Sequence, residues 1–233
     1  MSARNHNPAW TLTAILLALF AAPRIHGQGV LVDQVIAVVN SDLILESDID
    51  EERRFESFQP FRDPEGPSSR TALIDRLIDR TLILQQAKLQ PDDRVTLAEA
   101  QTRLKTLRTE IPACKPAHCE TDEGWQKFVQ SQGFTLPQVE ELWRQRMEML
   151  KFVEIRFRAG IRISPEEIKA YYDKTLAPEL IREHTTPPPL DTVSERIQEI
   201  LLQQRVGSLL TDWLTALKAQ GTVRIMKPGE EAP

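Results

Sequence analysis

The stretch VLVDQVIAVVNSDLILESDIDEERRFE, Val30 to Glu56, decides how this chain folds. Val35-Ile36-Ala37-Val38-Val39 is a short run of mostly β-branched residues, and Leu43-Ile44-Leu45 is a second apolar run. Asn40-Ser41-Asp42 lie between them, residue types whose side chains hydrogen-bond nearby backbone and tolerate tight turns. The pattern predicts two hairpin strands, each too continuously apolar to leave a face in water. A two-stranded hairpin is marginal by itself, so a later part of the chain must cover it. Directly afterwards Ser47-Asp48-Ile49-Asp50 predicts a helix start, with a hydroxyl cap and acids in the first turn, where the helix dipole favours them.

Upstream, residues 1–27 read as a secretory signal. Arg4 supplies an early positive charge, and the thirteen residues from Trp10 to Ala22 are uncharged and largely apolar. A spanning helix needs ~20 such residues, so this run suits a signal core better than an anchor. Ile25-His26-Gly27 places a tolerated aliphatic and a small residue where a signal peptidase inspects, which predicts cleavage after Gly27. A cut after Ala22, and an uncleaved anchor, are the alternatives. The absence of a nearby cysteine argues against a lipid anchor. Cleavage leaves 206 residues carrying 27 basic and 34 acidic side chains, a net charge of −7. That balance argues against a nucleic-acid partner, which calls for a basic face. After cleavage nothing in the chain calls for membrane insertion, and the remaining length is enough for one domain with a real core.

Downstream the pattern is helical. Leu73, Ile74, Leu77, Ile78, Leu82, Ile83 and Leu84 make a broad apolar stripe between Ser69 and Gln90, as expected of a central helix. Pro60 to Ser69 before it is loop-like. A more polar helix begins near Thr96, with Ala100, Leu104 and Leu107 as its stripe. Cys114 and Cys119 are the two cysteines of the chain. In an exported protein such a pair predicts a disulfide closing a small surface loop; a metal site using Cys114, His118 and Cys119 is the alternative. Trp125, Phe128 and Val129 share one helical face that stops at Gly133. Thr135 with Gln138 restarts a helix running to about Arg158, with Val139, Leu142, Trp143, Arg146 and Met149 along it. Ser164-Pro165-Glu166-Glu167 is the strongest helix start in the chain, combining a Ser cap, Pro at the first position and Glu at the third.

VDQVIAVVNSDLILESDI resembles the opening of the mature SurA-type periplasmic chaperones, and ISPEEIKAYYDK, after a helix–Gly–helix pair, resembles a later element of the same family. The resemblance implies a mainly α fold: a SurA-like, trigger-factor-like helical core that binds peptides. It also implies that the long helix from Asp191 and the strand Val223–Ile225 return to complete the N-terminal core, adding a strand to the hairpin in one small antiparallel sheet. In that family a prolyl isomerase domain of parvulin type normally follows the Tyr-Tyr helix. Here sixteen residues, Thr175 to Leu190, separate the two flanking helices. With Pro178 and the triple Pro187-Pro188-Pro189 they predict a stiff extended connector. The organisation expected is a signal (1–27), hairpin and helical core (28–174), connector (175–190), returning helix and strand (191–226) and tail (227–233).

No Gly-rich phosphate loop, metal-ligand cluster or nucleophile–base spacing is present, so no catalytic residue, metal or cofactor is expected. The resemblance implies a holdase for unfolded outer-membrane protein clients, working through apolar grooves. Trp125, Phe128, Phe134 and Trp143 gather around the Gly133 turn and are the candidates for lining such a groove; ordinary core packing is their alternative. A dedicated assembly partner of one exported protein, and an exported isomerase with an unrecognised site, are the rival functions.

Overall fold

The computed structural model describes residues 33–60, 68–90 and 94–227. The signal segment with its cleavage point, residues 61–67 and 91–93, and the tail from 228 lie outside the described residues.

Strands β1 (Val35–Val39) and β2 (Asp42–Leu45) pair antiparallel, with Val39 opposite Asp42, so Asn40 and Ser41 form the turn. Asn40 has φ 56°, the left-handed region that Asn tolerates better than most residues. Its groups tie the turn to later elements. The Asn40 N–H donates to the Thr222 carbonyl at 2.7 Å. Its Oδ1 accepts from the Thr222 N–H at 2.9 Å, and its Nδ2 donates to Gln85 Oε1 at 2.7 Å. Strand β3 (Val223–Ile225) pairs antiparallel with the other side of β1, Val39 opposite Val223 and Ala37 opposite Ile225. The order is therefore β2-β1-β3. The Met226 N–H adds a bond to the Ile36 carbonyl at 2.8 Å. The fold is mainly α, with one small antiparallel sheet made by the N-terminal hairpin and the C-terminal strand.

Helix α1 (Glu46–Phe55) starts one residue before the expected Ser47 cap. The Glu46 N–H is still bonded to the Gln34 carbonyl at 2.9 Å, so the strand ladder fixes Leu45 as the last extended residue. The Asp48 carboxylate then accepts from the Leu45 N–H at 2.8 Å, while the Ser47 N–H turns to Asp33. Helix α2 (Arg70–Ala87) is capped by Ser69 and is central, as its wide stripe predicts. Leu73, Leu77, Ile78 and Leu82 pack on Ile36, Val39, Ile44 and Ile49 of the hairpin and α1. Each such buried aliphatic contributes about 1.5–3 kcal/mol.

A second apolar cluster sits among α3 (Leu97–Leu107), α4 (Asp122–Ser131) and α5 (Leu136–Val153). Thr96 with Glu99 and Thr135 with Gln138 close reciprocal caps at the starts of α3 and α5. Between α3 and α4 the chain coils tightly over Pro112–Ala117. Cys114 and Cys119 form a disulfide there, with Cα atoms 5.6 Å apart, within the usual range. Their sulfurs are paired and not thiolates, so the Cys-His-Cys metal alternative does not apply. Both cysteines are 1% exposed, so the bond is packed into the second cluster rather than floating on the surface. Gly124, in the first turn of α4, lies under the carbonyl oxygens of Ala117 and His118, and a Cβ there would collide with both.

After α5 the chain widens into a π turn, Glu154–Arg158, and α6 (Pro165–Tyr171) begins on the Ser164–Glu167 cap. The expected extended connector is half helical. A second π turn, Tyr172–Leu176, leads into α7 (Ala177–Arg182). Pro178 does not break this path because it falls in the first turn after the widened coil, where a missing N–H costs little. His184, with φ 58°, ends α7 in a left-handed cap. The Thr185 N–H reaches the Leu180 carbonyl at 2.8 Å and the His184 N–H reaches that of Ile181 at 3.0 Å. Thr185 to Pro189 alone is extended, and Tyr172 donates to the Pro188 carbonyl at 2.6 Å. Helix α8 (Leu190–Gln220) then runs 31 residues, about 46 Å at 1.5 Å per residue. It packs on α6, with Ile197 buried in its first half, and its second half returns to the hairpin cluster through Leu214 and Trp213.

Candidate functional site

A groove of about 480 Å³ opens between α1, α2, α5 and α8, within the size range of ligand sites. Helical periodicity builds it. On α2, Ala72, Asp75, Arg76, Asp79, Arg80 and Ile83 recur at intervals of three and four and form one face beside the buried stripe. Leu142, Arg146 and Met149 do the same on α5, Glu52 and Phe55 on α1, and Leu210 and Leu214 on α8. The lining is therefore apolar along α8, mostly apolar along α5 apart from Arg146, and charged along α2 and at Glu52 of α1.

The ladder is an ion network rather than an acid–base pair. Glu52, with its side chain 4% exposed, accepts from Arg80 at 2.7 Å and Arg76 at 3.3 Å. Arg76 also reaches Glu56 at 3.0 Å and Ser68 Oγ at 2.8 Å. Lys218 Nζ lies 2.6 Å from Asp79 Oδ1, an ion-pair contact without hydrogen-bond alignment. Arg146 differs from these cations. Its guanidinium carbon sits 5.8 Å from the Trp143 ring centroid. Burial pulls its pKa below the ordinary value, with Arg76 and Arg80 adding to that and Glu52 opposing it.

No protein-family model and no curated protein matches this chain. The groove therefore has to be read from its own residues.

The four aromatic candidates are elsewhere. Phe128 and Phe134 pack edge-on against Phe58 at 5.2 and 5.5 Å, Trp125 does so at 5.8 Å, and Trp143 lies against Phe55. All four are at most 8% exposed. They pack into the second core, the alternative to lining a groove, and none of them borders the groove between α1, α2, α5 and α8. Trp125 alone touches a concavity, a more polar one of about 510 Å³ bordered by Arg108, Asp122 and Glu140. The groove residues were less visible in the sequence because reading α2 for its apolar stripe passes over the charged face next to it. The i, i+4 repeats Asp75–Asp79 and Arg76–Arg80 were the available signal.

Three partly buried carboxylates around these helices are held ionised. A hydrogen bond from Arg70 is the largest influence on Glu46 and lowers its pKa. Arg144 does the same for Glu141. At Glu56 burial raises the pKa, but bonds from Ser68 and Arg76 outweigh it and leave the net shift downward. Glu51 is the opposite case, raised by burial. A lowered native pKa gives stability that is present above the unfolded value and lost as pH falls through the native one; a raised carboxyl loses stability as pH rises through the ordinary range. With three groups against one, the melting temperature is expected to fall from neutral pH to about pH 3. Glu56→Gln should flatten that slope. An unchanged slope in thermal melts of the variant would show that this carboxylate is not coupled to folding.

Proposed function

We propose that this protein is an exported holdase of the SurA type, which shields unfolded outer-membrane protein precursors in the periplasm and has no prolyl isomerase activity. The observation that carries the reading is the apolar groove between α1, α2, α5 and α8, open to solvent and large enough for several side chains of an extended segment. Three further facts support it. VDQVIAVVNSDLILESDI and ISPEEIKAYYDK resemble the family at both ends of the helical core. The disulfide suits an oxidising compartment. The sixteen residues from Thr175 to Leu190 are too few for an isomerase domain of ~100 residues.

Binding of this kind takes apolar side chains without selecting a single sequence, as promiscuous surfaces do. Clients are held weakly and released without chemistry. The mature protein is expected to delay aggregation of a denatured porin and to leave a proline-limited refolding rate unchanged. Leu210→Glu, which puts a charge on the groove wall, should weaken the delay. Failure to delay aggregation at several-fold molar excess would end the holdase reading and favour a dedicated partner of one exported protein. Catalytic acceleration of refolding would reveal an isomerase site.

A further inference from the structure

Of the three cations that line the groove, Arg76 and Arg80 each face a carboxylate of this chain, and Lys218 beside it pairs with Asp79. Arg146 does not: among the described residues its guanidinium makes no hydrogen bond or ion pair, its one ring contact, to Trp143, is near the outer limit of a cation–π contact, and Glu52 acts on it only as a nearby charge. Of the three anions that border the groove, two are engaged by cations of this chain and the third is exposed to solvent. Glu52 holds Arg76 and Arg80, Asp79 holds Lys218, and Asp75 is exposed on the rim. Arg146 is half-buried, and a guanidinium partly withdrawn from water without an acceptor carries a cost that a ligand anion relieves. Arg146 also stands one turn from Leu142 and nearly one from Met149, so its charge is framed by apolar side chains.

We propose that Arg146 receives the α-carboxylate of a polypeptide chain terminus, so that the groove takes up the C-terminal end of an unfolded client with its last apolar side chains on Leu142, Met149 and Leu210. Charge complementarity and lining together select this occupant. An internal apolar segment brings no anion, and an internal Asp or Glu would place a polar side chain against the apolar wall. A chain terminus alone joins a carboxylate to an apolar residue within one amino acid. The planar guanidinium suits two-pronged contact with a carboxylate. This inference rests on the holdase reading and narrows it to one end of the client.

The test compares a short fluorescein-labelled peptide ending in valine and leucine, as free acid and as C-terminal amide, for binding to the full mature protein. The acid should bind roughly ten- to hundredfold more tightly than the amide. That difference should disappear in Arg146→Gln and persist in part in Arg146→Lys, with both variants melting like the native chain. Equal binding of acid and amide by the native protein overturns the inference and leaves the holdase reading intact; this comparison needs no variant to fold. A preference for the acid that survives Arg146→Gln overturns it as well, because the carboxylate is then read elsewhere. Binding of decanoate that depends on Arg146, with no acid preference among peptides, would assign the site to a fatty acid instead. If neither peptide binds, the inference is overturned, while the holdase reading stands or falls on the porin aggregation assay.

Discussion

Phe58→Ala is expected to destabilise the protein by about 3–5 kcal/mol, the cost of emptying an aromatic site that cannot collapse. Phe58 is fully buried. Its ring contacts Phe55 at 5.7 Å, Phe128 at 5.2 Å, Phe134 at 5.5 Å and Trp125 at 5.8 Å. It therefore links α1 to α4 and to the Gly133 turn. Gly133 itself needs its left-handed φ of 75°, and its carbonyl accepts from Arg54 of α1 at 2.8 Å. Among the described residues no other ring makes as many ring contacts, so truncation removes the centre of the second cluster rather than its edge. For a chain of this size the melting temperature should drop by of order 10 °C. Leu89→Ala, at a side chain 74% exposed, is the control and should stay within about 0.5 kcal/mol. A loss under about 1 kcal/mol for Phe58→Ala would mean that the aromatic cluster is not cooperative with the rest.

Removal of residues 191–226 is expected to abolish cooperative folding of the hairpin half. The deletion strips β3 from β1 and takes Leu210, Trp213, Leu214 and Leu217 off the hairpin cluster. Trp213 also leaves Phe152 and Phe157, whose rings it meets at 5.7 and 5.4 Å. At about 1.5–3 kcal/mol for each large apolar side chain, these losses rival the whole stability of a domain, about 5–15 kcal/mol. The chain lacking residues 191–226 should aggregate, and the amides of Ala37 and Val39 should exchange with solvent at nearly unfolded rates. A monodisperse fragment with those amides as protected as in the intact chain would show that the return is dispensable.

Local chemistry made much of this fold legible. The hairpin followed from apolar runs around Asn40, and the starts of α5 and α6 followed from the caps at Thr135 and Ser164, because a cap is settled within four residues. The return of β3 to β1 was expected only through the resemblance and through the hairpin's need for cover; pairing partners that stand far apart in the chain leave no local mark. Phe55 and Phe58 were overlooked because they sit between acidic residues and a Pro-containing loop, with no periodic apolar run to announce them. The connector was misread for a related reason. Four prolines suggested extension throughout, yet Pro178 sits where a helix accepts it, and the left-handed cap at His184 has no strong sequence signature. The groove was the least visible feature. Its charged ladder reads as an ordinary solvated face until α1 and α8 are brought against it, and Arg146 gains meaning only when its neighbours are seen to be paired with one another.

Unfolded polypeptide is expected to enter the groove between α1, α2, α5 and α8. Photo-crosslinking tests it most directly, with a benzophenone side chain in place of Met149 on the groove wall or of Gln126 beside the second, polar concavity. With a denatured porin as client, strong crosslinks are expected from position 149 and few from position 126. Equal yields from the two positions, or suppression of aggregation with no crosslink from position 149, would contradict the account.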